Sequence, residues 1–268
     1  MITSRQNPKI ALLRSLSRSK KARGEAGVFA VEGEKLFFEA VLSGLEPQNL
    51  LITEKFSQKN DNFRKKAENL CNIDIISDDL AEYISDTKTP SGVFFTLPLL
   101  DKTLNMNTMY NEGVYSFVAL DAVQDPGNVG AIIRSCDAFG IDSLFLSGGC
   151  ADINSPKLIR SAMGSVFRLP VYRCELSPLI LRLKEKGFCI IGADCGGERC
   201  LSADEFKFPQ KSLVIIGSEG GGISPEIIKL CTERIYIPVK NVESLNAAVA
   251  ASIIIYKMQH RDGFYSPE

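Results

Sequence analysis

Histidine is almost absent from this sequence: of 268 residues, His260 near the C-terminus stands alone. A histidine-rich metal site or an HExxH protease needs more. A Ser-His-Asp hydrolase manages with one, but no nucleophile elbow accompanies it. Long apolar runs are missing too. The longest, Ala247 to Tyr256, is too short and too interrupted to span a bilayer. The basic N-terminus is followed by no apolar h-region, so no signal peptide is legible. The expectation is a soluble, cytoplasmic protein that engages no membrane. Net charge is nearly lacking, at -1, so no global field announces a nucleic-acid or membrane partner. Neither GxGxxG nor GK[ST] occurs where it would matter, which speaks against a dinucleotide-dependent dehydrogenase and a Walker-type NTPase. The eight cysteines are scattered. Their nearest pair, Cys195 and Cys200 in "CGGERC", has neither disulfide-framework nor zinc-knuckle spacing. They read as reduced, structural thiols, and no metal is expected.

What is present is a globular composition, 45% hydrophobic and 24% charged, able to bury a sizeable core. Charge is unevenly spread. Met1 to Gly24 holds seven bases (Arg5, Lys9, Arg14, Arg18, Lys20, Lys21, Arg23) and no acid. Within it, Ile10, Leu13 and Leu16 recur at helical spacing. Residues 1–100 then read as a small α/β domain, with strands at Val28–Val31, Leu50–Thr53, "IDIIS" and "SGVFFTLPL" and a helix "DDLAEYIS" opening on an Asp cap. Residues 101–113 are polar and poorly periodic, a linker. From Val114 to the end, strands alternate with helices: "VYSFVAL", "NVGAIIRSCDAF", "SLFLS", "SPKLIRSAM", "FRLPVY", "LSPLILRLKEKG", "FCIIGAD", "SLVIIGS", "SPEIIKLC", "RIYIPV" and "SLNAAVAASIIIYKMQ". Such alternation predicts a mostly parallel sheet covered on both faces. Ligands then bind beyond the C-terminal ends of strands.

Three loops follow strands and carry chemistry. In "DPGNVGAIIRSCDAFG", Gly127, Gly130 and Arg134 fall on one helical stripe, with Val129, Ile132, Ile133, Cys136 and Phe139 on the buried side. Bare backbone admits close approach, and a guanidinium suits phosphate or a developing oxyanion. A surface arginine on a glycine-rich helix start is the plain alternative. In "LVIIGSEGGGISPEII", three glycines follow Ser218 and Glu219 and can wrap a ligand through their amides. Glu219 would repel phosphate, so a neutral or cationic ligand fits better; a simple strand-turn-helix corner is the alternative. In "IYIPVKNVESLNAAVAASIII", Ser244 caps a helix of small residues and Asn246 stands in its first turn, where a ligand can meet it. A tightly packed core helix is compatible with that.

Together and in this order, "DPGNVGAIIRSCDAFG", "IIGSEGGGIS" and "IPVKNVESLNAAVA" resemble the three motifs of the SpoU (TrmH) family of RNA ribose methyltransferases, within the SPOUT superfamily. The likeness covers roughly Val114 to His260. Upstream, "FAVEGEKLFFEAVLSG" and "TPSGVFFT" look like the substrate-binding domain of the ribosomal-RNA members. The resemblance implies an α/β fold with a deep C-terminal trefoil knot over 114–268, S-adenosylmethionine as cofactor, a homodimer, and RNA as partner, ribosomal RNA before transfer RNA. Carried over residue by residue, it places Gly217, Ile237 and Leu245 on the cofactor, with the motif serine Ser244 and the loop's Gly220. It makes Asn128, Arg134, Glu219 and Asn246 the polar catalytic set. One departure is Ala247-Ala248 where a Val-Ser pair is common. Arginine stays protonated and is a poor general base, so Arg134 is expected to stabilise the developing alkoxide and position the nucleotide. Water, phosphate or Glu219 remains open as proton acceptor. A tRNA methyltransferase and a non-catalytic RNA-binding or assembly factor on the same fold are the competing readings.

Overall fold

The computed structural model describes residues 1–100, 115–194 and 200–260. The expected linker 101–113 and Cys195 lie outside these described residues. In chain order the elements are α1 (Pro8–Arg18), α2 (Lys20–Ala26), β1 (Val28–Glu32), α3 (Glu34–Leu42), β2 (Gln48–Thr53), α4 (Glu54–Lys59), α5 (Asp61–Glu68), β3 (Ile73–Ile76), α6 (Asp78–Ile84), β4 (Val93–Pro98), β5 (Tyr115–Asp121), α7 (Pro126–Ala138), β6 (Ser143–Leu146), α8 (Pro156–Ala162), α9 (Ser165–Arg168), β7 (Val171–Arg173), α10 (Leu176–Glu185), β8 (Cys189–Asp194), β9 (Leu201–Ser202), β10 (Lys211–Gly217), α11 (Pro225–Ile228), β11 (Glu233–Tyr236) and α12 (Ala247–Gln259). By their contacts, residues 1–100 and 152–167 form one unit, and the described parts of 101–151 and 168–268 form a second. No helix among the described residues is long and apolar enough to cross a membrane.

The first unit is built on a sheet of order β1-β4-β2-β3. β4 is antiparallel to both its neighbours, and β3 runs parallel to β2. α1 starts where Asn7 accepts the Lys9 amide and Pro8 takes the first turn. Its stripe Ile10, Leu13 and Leu16 is fully buried among Leu51, Ile76, Leu80 and Phe94. Each such side chain contributes about 1.5–3 kcal/mol on burial. Ser19 then breaks the helix, adopting extended backbone and capping α2 through its hydroxyl. At α6 the expected Asp cap gives way: Ser77 holds the extended N-cap position, and Asp78 and Asp79 fill the first turn, where the helix dipole favours acids.

The second unit holds a seven-stranded sheet, β7-β6-β5-β10-β8-β11-β9, with every pair parallel. β10 lies between β5 and β8, and its Leu213, Val214 and Ile215 are fully buried. A continuous apolar run is what a central parallel strand requires. α10 packs Leu179, Ile180 and Leu183 against Phe117, Phe145 and Phe188 in one core. α7 runs along α12, where the hydroxyls of Ser135 and Ser252 meet at 2.7 Å. "FRLPVY" is not one strand. It divides into α9 and the three-residue β7, separated by Leu169 and by Pro170, which has no N–H to give to a ladder. The stripe on α7 is also narrower than expected: Gly130 is buried with its neighbours Val129 and Ile133, while Arg134 is exposed. Open backbone is confined to the first turn. The seven described cysteines are free, and burial pushes the Cys174 and Cys231 thiols up to about 11.

Candidate active site

Parallel strands bring all their C-terminal ends to one edge. There the last pair of the β5–β10 ladder is Asp121 opposite Gly217. The chain after Gly217 folds back at once. A Cβ on Gly217 would lie 2.0 Å from the Gly222 carbonyl carbon and 2.2 Å from the Ile223 nitrogen, so only glycine fits. Ser218 and Gly222 exchange backbone hydrogen bonds of 3.0 and 2.9 Å, and Gly222 has φ of 63°. Ile223 is buried in the core below. The Ser224 amide then donates to Asp121 Oδ2 at 2.8 Å, closing the loop against the neighbouring strand. Glu219 stands exposed on this clamped loop.

Three of the four expected catalytic side chains meet here. Asn246 Nδ2 donates to Glu219 Oε1 at 2.7 Å and to Asn128 Oδ1 at 3.1 Å. Asn128 Nδ2 donates to the same Glu219 oxygen. Each residue is fixed by its own element. Asn128 lies in the first turn of α7, its amide donating to the N-cap Asp125 at 3.0 Å. Asn246 Oδ1 accepts the Ala248 and Val249 amides at 2.9 and 3.3 Å. Asn246 is therefore the N-cap of α12, a role expected of Ser244. Asparagine caps as well as serine, and this one spends its oxygen on the helix while its N–H2 reaches the cluster. Arg134 is not in the cluster. It stands on the exposed face of α7, under two turns beyond Asn128, with no hydrogen bond or ion pair among the described residues.

Beside the cluster is a pocket lined by Gly217, Ile237, Ser244 and Leu245, with Ala247, Ala250 and Ile254 of α12 as one wall. Asp194, paired with Arg234 at 3.4 Å, and Glu243 also line it, and among the described residues no lysine or arginine does. Four of the five expected cofactor positions thus share one cavity. Gly220 is exposed on the loop and does not line it. No group of three or more His, Cys, Asp or Glu able to hold a metal occurs among the described residues.

Residues 115–256 match the SpoU rRNA Methylase family. The chain belongs to that family. Within the SpoU domain, the pocket and the polar cluster are built from the start of α7, the end of β8, the loops after β10 and β11, and α12. Residues 7–94 match the MRM3-like substrate binding domain. The chain is similar to an uncharacterised tRNA/rRNA methyltransferase of Synechocystis sp., 31% identical over 97% of this chain and 93% of that one. It is likewise 30% identical to the 23S rRNA (guanosine(2553)-2′-O)-methyltransferase RlmP of Bacillus subtilis, over 96% of this chain and 98% of that protein. Among solved structures, the SpoU methyltransferase AviRb of Streptomyces viridochromogenes in complex with AdoMet aligns with a TM-score of 0.83 at 26% identity, over 94% of this chain and 97% of that one.

One residue of this SpoU site was not singled out from the sequence. Asp121 is 8% exposed and follows the buried apolar run Phe117–Leu120 at the end of β5. A lone acid at the C-terminal end of a central strand is a legible signal; its partner, an amide 103 residues away, is not.

Proposed function

We infer that this protein transfers a methyl group from S-adenosylmethionine to a ribose 2′-hydroxyl of RNA, with ribosomal RNA as substrate. The observation that carries this is the junction of the Glu219–Asn128–Asn246 cluster with the pocket at Gly217 and Leu245. The pocket suits the cofactor. Ile237, Leu245 and Ile254 offer apolar walls for a base, Gly217 leaves backbone bare, and with Asp194 paired to Arg234 it is the Glu243 carboxylate that favours a positively charged ligand. When bound, S-adenosylmethionine supplies a methyl group on a sulfonium, a leaving group that departs neutral.

The chain's own task is to position a weakly acidic hydroxyl and stabilise it as it becomes an alkoxide. Arg134 is exposed, unpaired among the described residues and permanently charged. It holds the developing oxyanion or the adjacent phosphate through its planar fork. Glu219 has two amide donors on Oε1, so it anchors the two helix starts to the loop and leaves the proton to water or a substrate phosphate. The active unit we propose is a homodimer in the cytoplasm. Val249 and Tyr256, each 49% exposed on α12, supply apolar surface for the contact. A monomer in sedimentation equilibrium at micromolar concentration would refute the dimer.

The reaction is tested with labelled S-adenosylmethionine and with ribosomal and transfer RNA from a strain lacking the gene. Label should enter ribosomal RNA at an alkali-resistant linkage. Arg134→Lys keeps charge but loses the fork, and should lower turnover at least tenfold with cofactor affinity retained. Label in transfer RNA alone would move the substrate; cofactor-independent RNA binding with no transfer would favour an assembly factor.

A further inference from the structure

The seven N-terminal bases do not form one solvated cationic face. Arg23 is 6% exposed, paired with Asp152 at 2.6 Å and donating to the Leu16 carbonyl. Lys9 is paired with Asp74. Lys21 faces Glu25 at 3.8 Å in the open, a contact of little consequence. Arg5 and Arg14 are arranged differently. Their guanidinium carbons lie 4.7 and 4.3 Å from the centroid of one ring, Tyr83 on α6. Arg14 also donates to the Tyr83 carbonyl oxygen. Neither arginine pairs with a carboxylate among the described residues, although Asp78, Asp79 and Glu82 share α6 with Tyr83.

Tyr83 is half-buried against the core that joins α1 to α6, so the ring is a fixed post. A guanidinium held over a ring keeps N–H donors to offer an anion: among the described residues Arg5 has all of its own, and Arg14 those not spent on the Tyr83 carbonyl. Contact with the ring also restricts the long side chain before any ligand arrives, so less entropy is lost on binding. Two like charges held at one ring without a carboxylate repel each other in the free protein, and an anion bridging them removes that cost. Successive phosphates of a nucleic-acid strand are such an anion.

Resting on the methyltransferase reading above, we propose that Arg5 and Arg14, held over the Tyr83 ring, are a phosphate clamp by which the first unit holds the RNA backbone. The contact is independent of base sequence. Arg23 and Lys9 serve the fold and take no part.

The test is equilibrium binding of full-length protein to in-vitro-transcribed 23S rRNA across a salt series, with circular dichroism melts as a folding control. Losing two phosphate contacts should flatten the plot of log affinity against log salt by roughly 1.4 to 1.8. The double variant Arg5→Gln/Arg14→Gln should show this, with affinity at low salt down at least tenfold. Arg18→Gln/Lys20→Gln removes equal charge nearby and should change the slope by less than half as much. Tyr83→Phe keeps the ring and should bind as wild type, whereas Tyr83→Leu should weaken binding several-fold. Should the double glutamine variant unfold, Arg5→Lys/Arg14→Lys retains charge and should lose affinity several-fold with little change in slope. An unchanged slope in the Arg5/Arg14 variant, or an equal change in the Arg18/Lys20 variant, overturns the clamp. Absence of methyl transfer by wild-type protein that still shows the Arg5/Arg14 effect would refute the enzymatic reading and leave the clamp standing.

Discussion

Asn246 performs two tasks with two different atoms, and substitution can separate them. Its Oδ1 caps α12 through two amides, while its Nδ2 holds Glu219 and Asn128. Asn246→Ala removes both. Loss of the cap costs about 1 kcal/mol, which for a chain of this size lowers the melting temperature by about 2–4 °C. Loss of a hydrogen bond to a charged acceptor costs about 1.5–3 kcal/mol. If that loss falls on the transition state, turnover drops roughly 10- to 150-fold. Asn246→Ser is the informative change. Serine caps as well as asparagine, so stability should hold to within a few tenths of a kcal/mol. Its hydroxyl is too short to bridge Glu219 and Asn128, so turnover should fall nearly as far as in the alanine variant. Calorimetric melting and single-turnover methyl transfer measure the two effects on one sample. Wild-type turnover in Asn246→Ser would show the cluster to be scaffolding. A serine variant as unstable as the alanine one would refute the assignment of the cap.

Two further substitutions probe the loop that bears Glu219. Gly217→Ala places a methyl group 2.0 Å from backbone that no rotamer change can move, so the 218–223 loop must shift; cofactor affinity by titration calorimetry should fall at least tenfold, and wild-type affinity would refute the crowding. Asp121→Ala leaves the Ser224 amide without its buried acceptor, and should raise KM for the cofactor and lower kcat, whereas Asp121→Asn retains an acceptor oxygen and should restore most of both; equal damage from the two variants would show that the charge, not the hydrogen bond, matters.

Much of the architecture is legible because it rests on local rules. Ile10, Leu13 and Leu16 announce a buried helical stripe through their spacing alone, and all three are buried. Alternating strands and helices from Val114 onward announce a parallel sheet, since parallel strands need crossovers. The motif residues could be named from their order along the chain. Other features resisted. Ser244 and Asn246 are both good caps two residues apart, and local preference does not rank them. Arg23 looks like any surface base until Asp152 is found beside it, 129 residues away.

The sequence by itself determined the elements, the apolar faces and the residue types at each loop, because these follow from steric periodicity and side-chain chemistry within a few residues. Tertiary structure alone decided which polar groups meet. Asn128 and Glu219 are 91 residues apart, and Asn128 and Asn246 are 118. They touch because β10 inserts beside β5 in the sheet and α12 packs along α7. Strand order is set by the summed burial of whole faces, a global free energy that no short stretch of the chain encodes.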